Sequence, residues 1–416
     1  MSEASQPIII TGVGVTSAIG QGKAAFIAAL LEGRHRFAVM QRAGRQHPSV
    51  IDDVEAGASF LGAEIAELSL PQSISKSMLR TASFSGQVAL ATLHEAWDDA
   101  RLSDVDPERI GLVIGGSNTQ QRELTQIHDA YRNKARFLRP TYGMSFLDSD
   151  LCGLCTEAFG IRGFAHTVGG ASASGQVAVL QAIQALQAGQ VDVCIAMGAL
   201  MDLSYWECQG LRSLGAMGSD RFAHEPEQAC RPFDADRDGF IFGEACGALV
   251  LERARSSTRV GMTPYAALTG WAIAMDANRN PNPSLEGEVQ VIGRALRQAK
   301  LTPGEIDYIN PHGTGSAIGD VTELSALSAC RLEHVWLNAT KSIIGHGLTA
   351  AGAVELIAVL LQMQAGRLHP TRNLLNPIEP SRNWVRQHAV DHNIENALNL
   401  SMGFGGVNSA VCLQRI

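Results

Sequence analysis

Charge, cysteine and uninterrupted apolar sequence are all scarce in this 416-residue chain. Charged residues make up 18% of it, and the formal net charge is -8. No dominant positive field exists to hold a polyanion, so broad nucleic-acid binding is not expected, although a local basic patch remains open. Eight cysteines are too few for a disulfide scaffold in a chain of this size, and most should be reduced, buried core residues. Cys152 and Cys155 have CxxC spacing, but no second pair or histidine cluster accompanies them. Packing, rather than metal or redox chemistry, is the reading for that pair. No uninterrupted apolar run approaches the roughly 18 residues a membrane span needs, and "MSEASQPIII" carries neither a basic region nor a cleavage segment. The expectation is a soluble, cytoplasmic protein with no membrane partner and no metal.

What is present is a core: hydrophobic residues reach 45%, and the length suggests two to three structural units. "PIIITGVGVTSAIG" reads as a buried strand entering a Gly-rich turn, and "RIGLVIGGSN" repeats the theme after the helix-like "SFSGQVALATLHEAW". "GQVAVLQAIQALQAGQ" is apolar at helical spacing and nearly free of charge, which marks a buried helix, and the strand "VDVCIAMGAL" follows it. After residue 250 the order recurs: strand "YAALTGWAI", helix "EVQVIGRALRQA", strand "IDYINPHG", helix "AAGAVELIAVLLQMQAG" and strand "ALNLSMGFGG". Alternating strands and helices imply an α/β protein. Two halves, 1–250 and 251–416, each with a nearly chargeless central helix, suggest an internal duplication stacked face to face. No linker or low-complexity tract separates them, so one body is expected.

Three segments carry candidate chemistry. "TVGGASASGQ" places Ser172 between small residues, after an expected strand and at the start of the buried helix. Such a turn offers unpaired N–H groups and positive potential to an oxyanion, but on this segment alone a Ser/Gly loop with an N-capping serine is the favoured reading. "NPHGTGS" and "NATKSIIGHGLTAAGAVE" put His312, Lys341 and His346 at turns, where two imidazoles can donate to one carbonyl oxygen and stabilise enolate charge. Taken singly, either histidine is as readily structural. "MGFGGVN" adds a Gly-rich turn whose N–H groups could complete an oxyanion site.

Taken together, "ITGVGVTSAIG", "CRPFDADRDGFIFGEACGALVLE", "HGTGSAIGDVTE", "TKSIIGHGLTAAGAVE" and "MGFGGVNSA" resemble, in order and spacing, the signature blocks of the β-ketoacyl synthases, polyketide ketosynthases included. The resemblance spans essentially the whole chain. It implies a duplicated, five-layered α/β/α/β/α thiolase fold, a homodimer, and substrates carried on the phosphopantetheine arm of acyl carrier protein, with no cofactor of the protein's own. By resemblance His312 and His346 are the catalytic histidines, Lys341 supports them, and Glu355 partners that lysine. Thr314 and Ser316 match positions that touch the pantetheine amides. Phe404 matches the gating phenylalanine, whose N–H joins that of residue 172 in the oxyanion hole. Lys76, Arg80, Arg136 and Arg139 fall where the family docks its acidic carrier protein, although solvated surface cations are common.

The departure is at the nucleophile: where the family has cysteine, the block "ASASG" has Ser172. An alcohol needs a dedicated base that a depressed thiol does not. The family pattern points both histidines at the thioester carbonyl, not at residue 172, so acyl loading and condensation should be slow. Decarboxylation of a malonyl thioester needs no nucleophile, only donors on the thioester oxygen, an apolar place for CO2 and a proton for the enolate. The resemblance therefore implies a malonyl-carrier-protein decarboxylase of the serine-bearing kind found in polyketide β-branching cassettes. The alternatives are a non-catalytic chain-length-factor partner, heterodimeric with an active ketosynthase, and an acyltransferase or condensing enzyme using Ser172 covalently.

Overall fold

The computed structural model describes residues 7–47, 59–254 and 262–416; the first six residues, part of the segment read for a leader, lie outside that set. The first half runs β1 (Ile8–Ser17), α1 (Phe84–Asp99), β2 (Ile110–Gly115), α2 (Ser149–Phe159), β3 (Phe164–Val168), α3 (Ser174–Gln187), β4 (Val193–Gly198) and β5 (Ala245–Arg253). The second half repeats that order as β6 (Ala266–Met275), α4 (Leu285–Ala299), β7 (Tyr308–Asn310), α5 (Gly319–Ala329), β8 (Trp336–Leu337), α6 (Ala351–Ala365), β9 (Asn396–Gly403) and β10 (Val407–Gln414). The strand order is β1-β5-β4-β2-β3 in one half and β6-β10-β9-β7-β8 in the other, the same path twice. The two paths join where β1 pairs antiparallel with β6, Ile8 opposite Leu268. The division drawn at 250 falls inside β5, which continues to Arg253.

Side chains alternate across these strands, and both faces are covered. Leu112 and Ile114 pack outward with Val88 and Leu93 of α1, while Val113 packs inward with α3 and α6. In the second half Leu398 and Leu400 face α4 and α5, while Ala397 faces the centre. Strands buried on both faces read as continuous apolar runs, which is why no polar alternation marks them in the sequence. Three cores between two outer helix pairs, two half-sheets and the central pair α3/α6 make five layers, the architecture expected.

The duplication extends to fine detail. A bulge interrupts β1 between Ile10 and Gly12, and another interrupts β6 between Leu268 and Gly270. A Cβ on Gly12 would lie 2.6 Å from Ala100 Cβ, and one on Gly270 would lie 2.2 Å from the Ala295 carbonyl, so only glycine lets α1 and α4 seat there. Ala171 and Leu348, with φ of 48° and 50°, hold left-handed turns just before the two central helices. Non-glycine residues in that region carry strain, which packing around the helix starts must hold.

One helix is apolar over a membrane's length even though polar residues interrupt its run. Leu348–Ala365 is 18 residues long with a mean hydropathy of 1.5, enough in length and composition to cross a membrane. It lies 89% buried within the protein and serves as the central core helix. Cys152 and Cys155 are free thiols buried between α2 and its sheet, as packing residues should be.

Candidate active site

The start of α3 is built around two serines with different work. Ser174 Oγ donates to the Ala171 carbonyl at 2.7 Å and accepts the Gly170 N–H at 2.9 Å, closing the turn. Ser172 is thereby free of the capping role that its sequence context allowed. Its Oγ lies 2.9 Å from His346 Nε2, a contact that sequence reasoning did not anticipate. A Cβ on Gly403 would come 2.1 Å from the Gly170 carbonyl, so this glycine is what allows the Gly403–Gly406 turn to close over residues 170–172.

His346 is pinned through its backbone, its N–H donating to the Ile241 carbonyl and its own carbonyl accepting from Gly243. The ring stands edge-on to Phe240 at 5.0 Å and to His312 at 5.5 Å. The Leu348 N–H donates to His346 Nδ1 at 3.4 Å. That bond assigns the proton to Nε2, so His346 donates toward Ser172 and is not, in this tautomer, a base for it. His312 Nδ1 is buried without a partner, which leaves Nε2 to reach a ligand. Burial, then the Lys341 ammonium, hold both imidazoles well below their usual pKa; His346 adds to the effect on His312. Both are neutral donors at neutral pH.

Behind the histidines lie buried ions. Lys341 Nζ donates to the His312 carbonyl and to Glu355 Oε1, each at 2.5 Å. Burial pushes the Glu355 carboxyl up to about 7 against the pull of that ammonium. Glu323 on α5 accepts the N–H groups of His312 and Gly313 at 2.5 and 2.8 Å, fixing the loop after β7. Sequence reasoning passed over Glu323, although it ends the quoted block "HGTGSAIGDVTE".

A cavity of about 290 Å³ opens onto Ser172, His312, His346, Thr314, Ser316 and Phe404. The Thr314 hydroxyl accepts the Ser316 N–H and the Ser316 hydroxyl accepts the Gly319 N–H, so this loop is ordered from within. Lys341 and Glu355 stand behind the wall and do not line it. Lys76, Arg80, Arg136 and Arg139 are all exposed, and none lines the cavity. Phe137, Met144 and Phe146 are exposed beside that last pair of arginines. Among the described residues, no group of three or more His, Cys, Asp or Glu could hold a metal ion.

Comparison with known proteins fits this geometry. The models of the β-ketoacyl synthase N-terminal and C-terminal domains match residues 5–257 and 265–375. The chain belongs to the β-ketoacyl synthase family. One relative of this β-ketoacyl synthase homologue is the polyketide biosynthesis malonyl-ACP decarboxylase PksF of Bacillus subtilis, 61% identical over 98% of this chain and 96% of its own length. Two solved structures share the fold: a β-ketoacyl synthase from Burkholderia phymatum (TM-score 0.87, 25% identity, 99% of this chain and 100% of that one) and the ishigamide ketosynthase/chain length factor (TM-score 0.88, 25% identity, 99% of each chain). The family thus spans catalytic and partner-type chains, and the site must distinguish them.

Proposed function

We propose that this chain decarboxylates malonyl groups carried as thioesters on the phosphopantetheine arm of acyl carrier protein, yielding acetyl-carrier protein and CO2 in polyketide biosynthesis. The observation that carries the reading is the pair of neutral imidazoles at one cavity, with His346 Nε2 fixed as a donor beside an alcohol where the family pattern has a thiol. The chemistry follows from that arrangement. The thioester oxygen takes the Nε2–H bonds of His312 and His346, the C–C bond to the carboxylate breaks, and CO2 leaves. Its electrons form an enolate whose oxygen the two donors hold. Lys341 acts through the His312 carbonyl as a positioning residue. Thr314 and Ser316 line the approach of the arm, and Phe404 stands at its inner end. Retention of this whole set, and 61% identity to a malonyl-ACP decarboxylase, favour an enzyme over a chain-length-factor partner.

A second reading, Ser172 as a covalent nucleophile, draws on the 2.9 Å contact with His346. It requires the opposite tautomer, with the Nδ1–H facing the Leu348 N–H. Incubating the purified protein with malonyl-carrier protein and following both CO2 and protein mass separates the readings. Acetyl-carrier protein without an acyl-protein adduct is expected; an acyl-serine on the pathway supports the second reading. No CO2 from the protein alone, with activity gained only on adding a ketosynthase, turns it into a partner subunit.

A further inference from the structure

The decarboxylation above ends with a bare enolate, and neither histidine is a net source of its proton. Glu288 also lines the cavity, from the first turn of α4. It is 2% exposed, and its Oε2 has no hydrogen-bond partner. The groups that bear on it are carboxyls: Glu323 and Asp320 on α5, and Asp276 just past β6. Of the cations beside these carboxyls, Arg237 pairs with Asp320, and Lys341 pairs with Glu355 rather than with Glu288. Asp276 also accepts from Asn408, and Glu323 accepts two backbone N–H groups, hydrogen bonds that Glu288 lacks, although burial still pushes the Glu323 carboxyl up to about 7. The helix N-terminus favours a carboxylate only weakly. Burying an unpaired one costs more than that gain, so burial and the acidic neighbours win, and the Glu288 pKa stands well above its usual value.

We infer that Glu288 is the general acid of the reaction, giving its carboxyl proton to the enolate carbon. The O–H bond breaks, a C–H bond forms at C2, the enolate returns to the thioester, and the Glu288 carboxylate regains a proton from water at the cavity mouth. This rests on the decarboxylase reading. The pattern that marks the residue is its position three and four residues before Val291 and Ile292, on the buried face of α4.

The test uses the full-length protein and malonyl-carrier protein. Glu288→Gln keeps shape but has no proton to give, and its turnover is expected to fall at least about tenfold, at the modest end for a general acid. Wild-type turnover should decline as pH rises through the Glu288 pKa, Glu288→Gln should lack that decline, and Glu288→Asp should restore part of both rate and decline. Independently of activity, infrared difference spectra at neutral pH should show a protonated carboxyl in the wild type that Glu288→Gln loses. Glu288→Gln with wild-type turnover and pH profile, or with an unchanged carboxyl band, overturns the inference. A wild type that releases no CO2 overturns the decarboxylase reading and this role with it, while the band still reports whether Glu288 is protonated.

Discussion

His346 Nε2 lies 2.9 Å from Ser172 Oγ while the opposite ring nitrogen accepts a backbone N–H, so the imidazole is locked as a donor toward the serine. On the proposed reading, a serine in that position takes the place of the family's cysteine and has no base to activate it. Ser172→Ala removes the hydroxyl and leaves the backbone turn, which Ser174 holds. Decarboxylation should survive with at most a roughly tenfold loss, about 1.4 kcal/mol. Ser172→Cys should accept an acyl group detectable by intact-protein mass spectrometry, since a thiol at a helix start ionises far more readily than an alcohol. Abolished turnover in Ser172→Ala, with an acyl adduct on the wild type, would make the serine a covalent catalyst.

In the proposed mechanism each imidazole supplies one donor to the enolate oxygen. Removing His312 or His346 by alanine should therefore lower kcat by about 10² to 10³, or about 2.7–4 kcal/mol, with thermal unfolding little changed for His312 at the cavity wall. Because both pKa values are depressed, the imidazoles stay neutral as pH falls through 6.5, and the wild-type rate should show no step there. A wild-type rate that falls as pH drops through 6.5, and does not in the variants, would mean that a titrating histidine acts as base.

The fold was legible because apolar runs of helical and strand length recur in the same order, while the bulges that both halves share were not read from it. Glu355 interrupts the apolar run of Leu348–Ala365, and in the fold it is paired with Lys341 inside a core helix. Candidate residues on the cavity wall were legible as motif positions. Contacts between halves were not: Ser172 and His346 are 174 residues apart, and no local spacing encodes their distance. Glu288 was passed over because one acidic residue in an amphipathic helix reads as surface until burial is known.

Arg136 and Arg139 project from an exposed stretch that also exposes Phe137, and they stand off the cavity wall. If this face receives an acidic carrier protein, Arg136→Glu with Arg139→Glu should raise KM for malonyl-carrier protein several-fold, more at low salt than at high. The same variants should process a free malonyl-pantetheine thioester normally. Equal effects on both substrates would trace to the site itself, and no effect on either would move docking to other cations.

Lys341 and Glu355 are each 1% exposed, and the ammonium also holds the His312 carbonyl. Breaking a buried pair costs about 3–5 kcal/mol when the charge left behind stays ionised. Glu355 has an alternative, because burial already lifts its pKa to about 7 and loss of the ammonium lifts it further. A carboxyl raised in the folded state contributes its stability below its unfolded pKa and loses it as pH rises through the folded one. Lys341→Met should therefore be mildly destabilised at pH 5 and increasingly so toward pH 8, measured by urea unfolding. Lys341→Met with Glu355→Gln should remove most of that slope and recover stability at pH 8. Its decarboxylation should stay low, because the His312 carbonyl has still lost its donor. A stability loss in Lys341→Met that is the same at both pH values would show that Glu355 remains charged without its partner, and that the pair is held by neighbours other than each other.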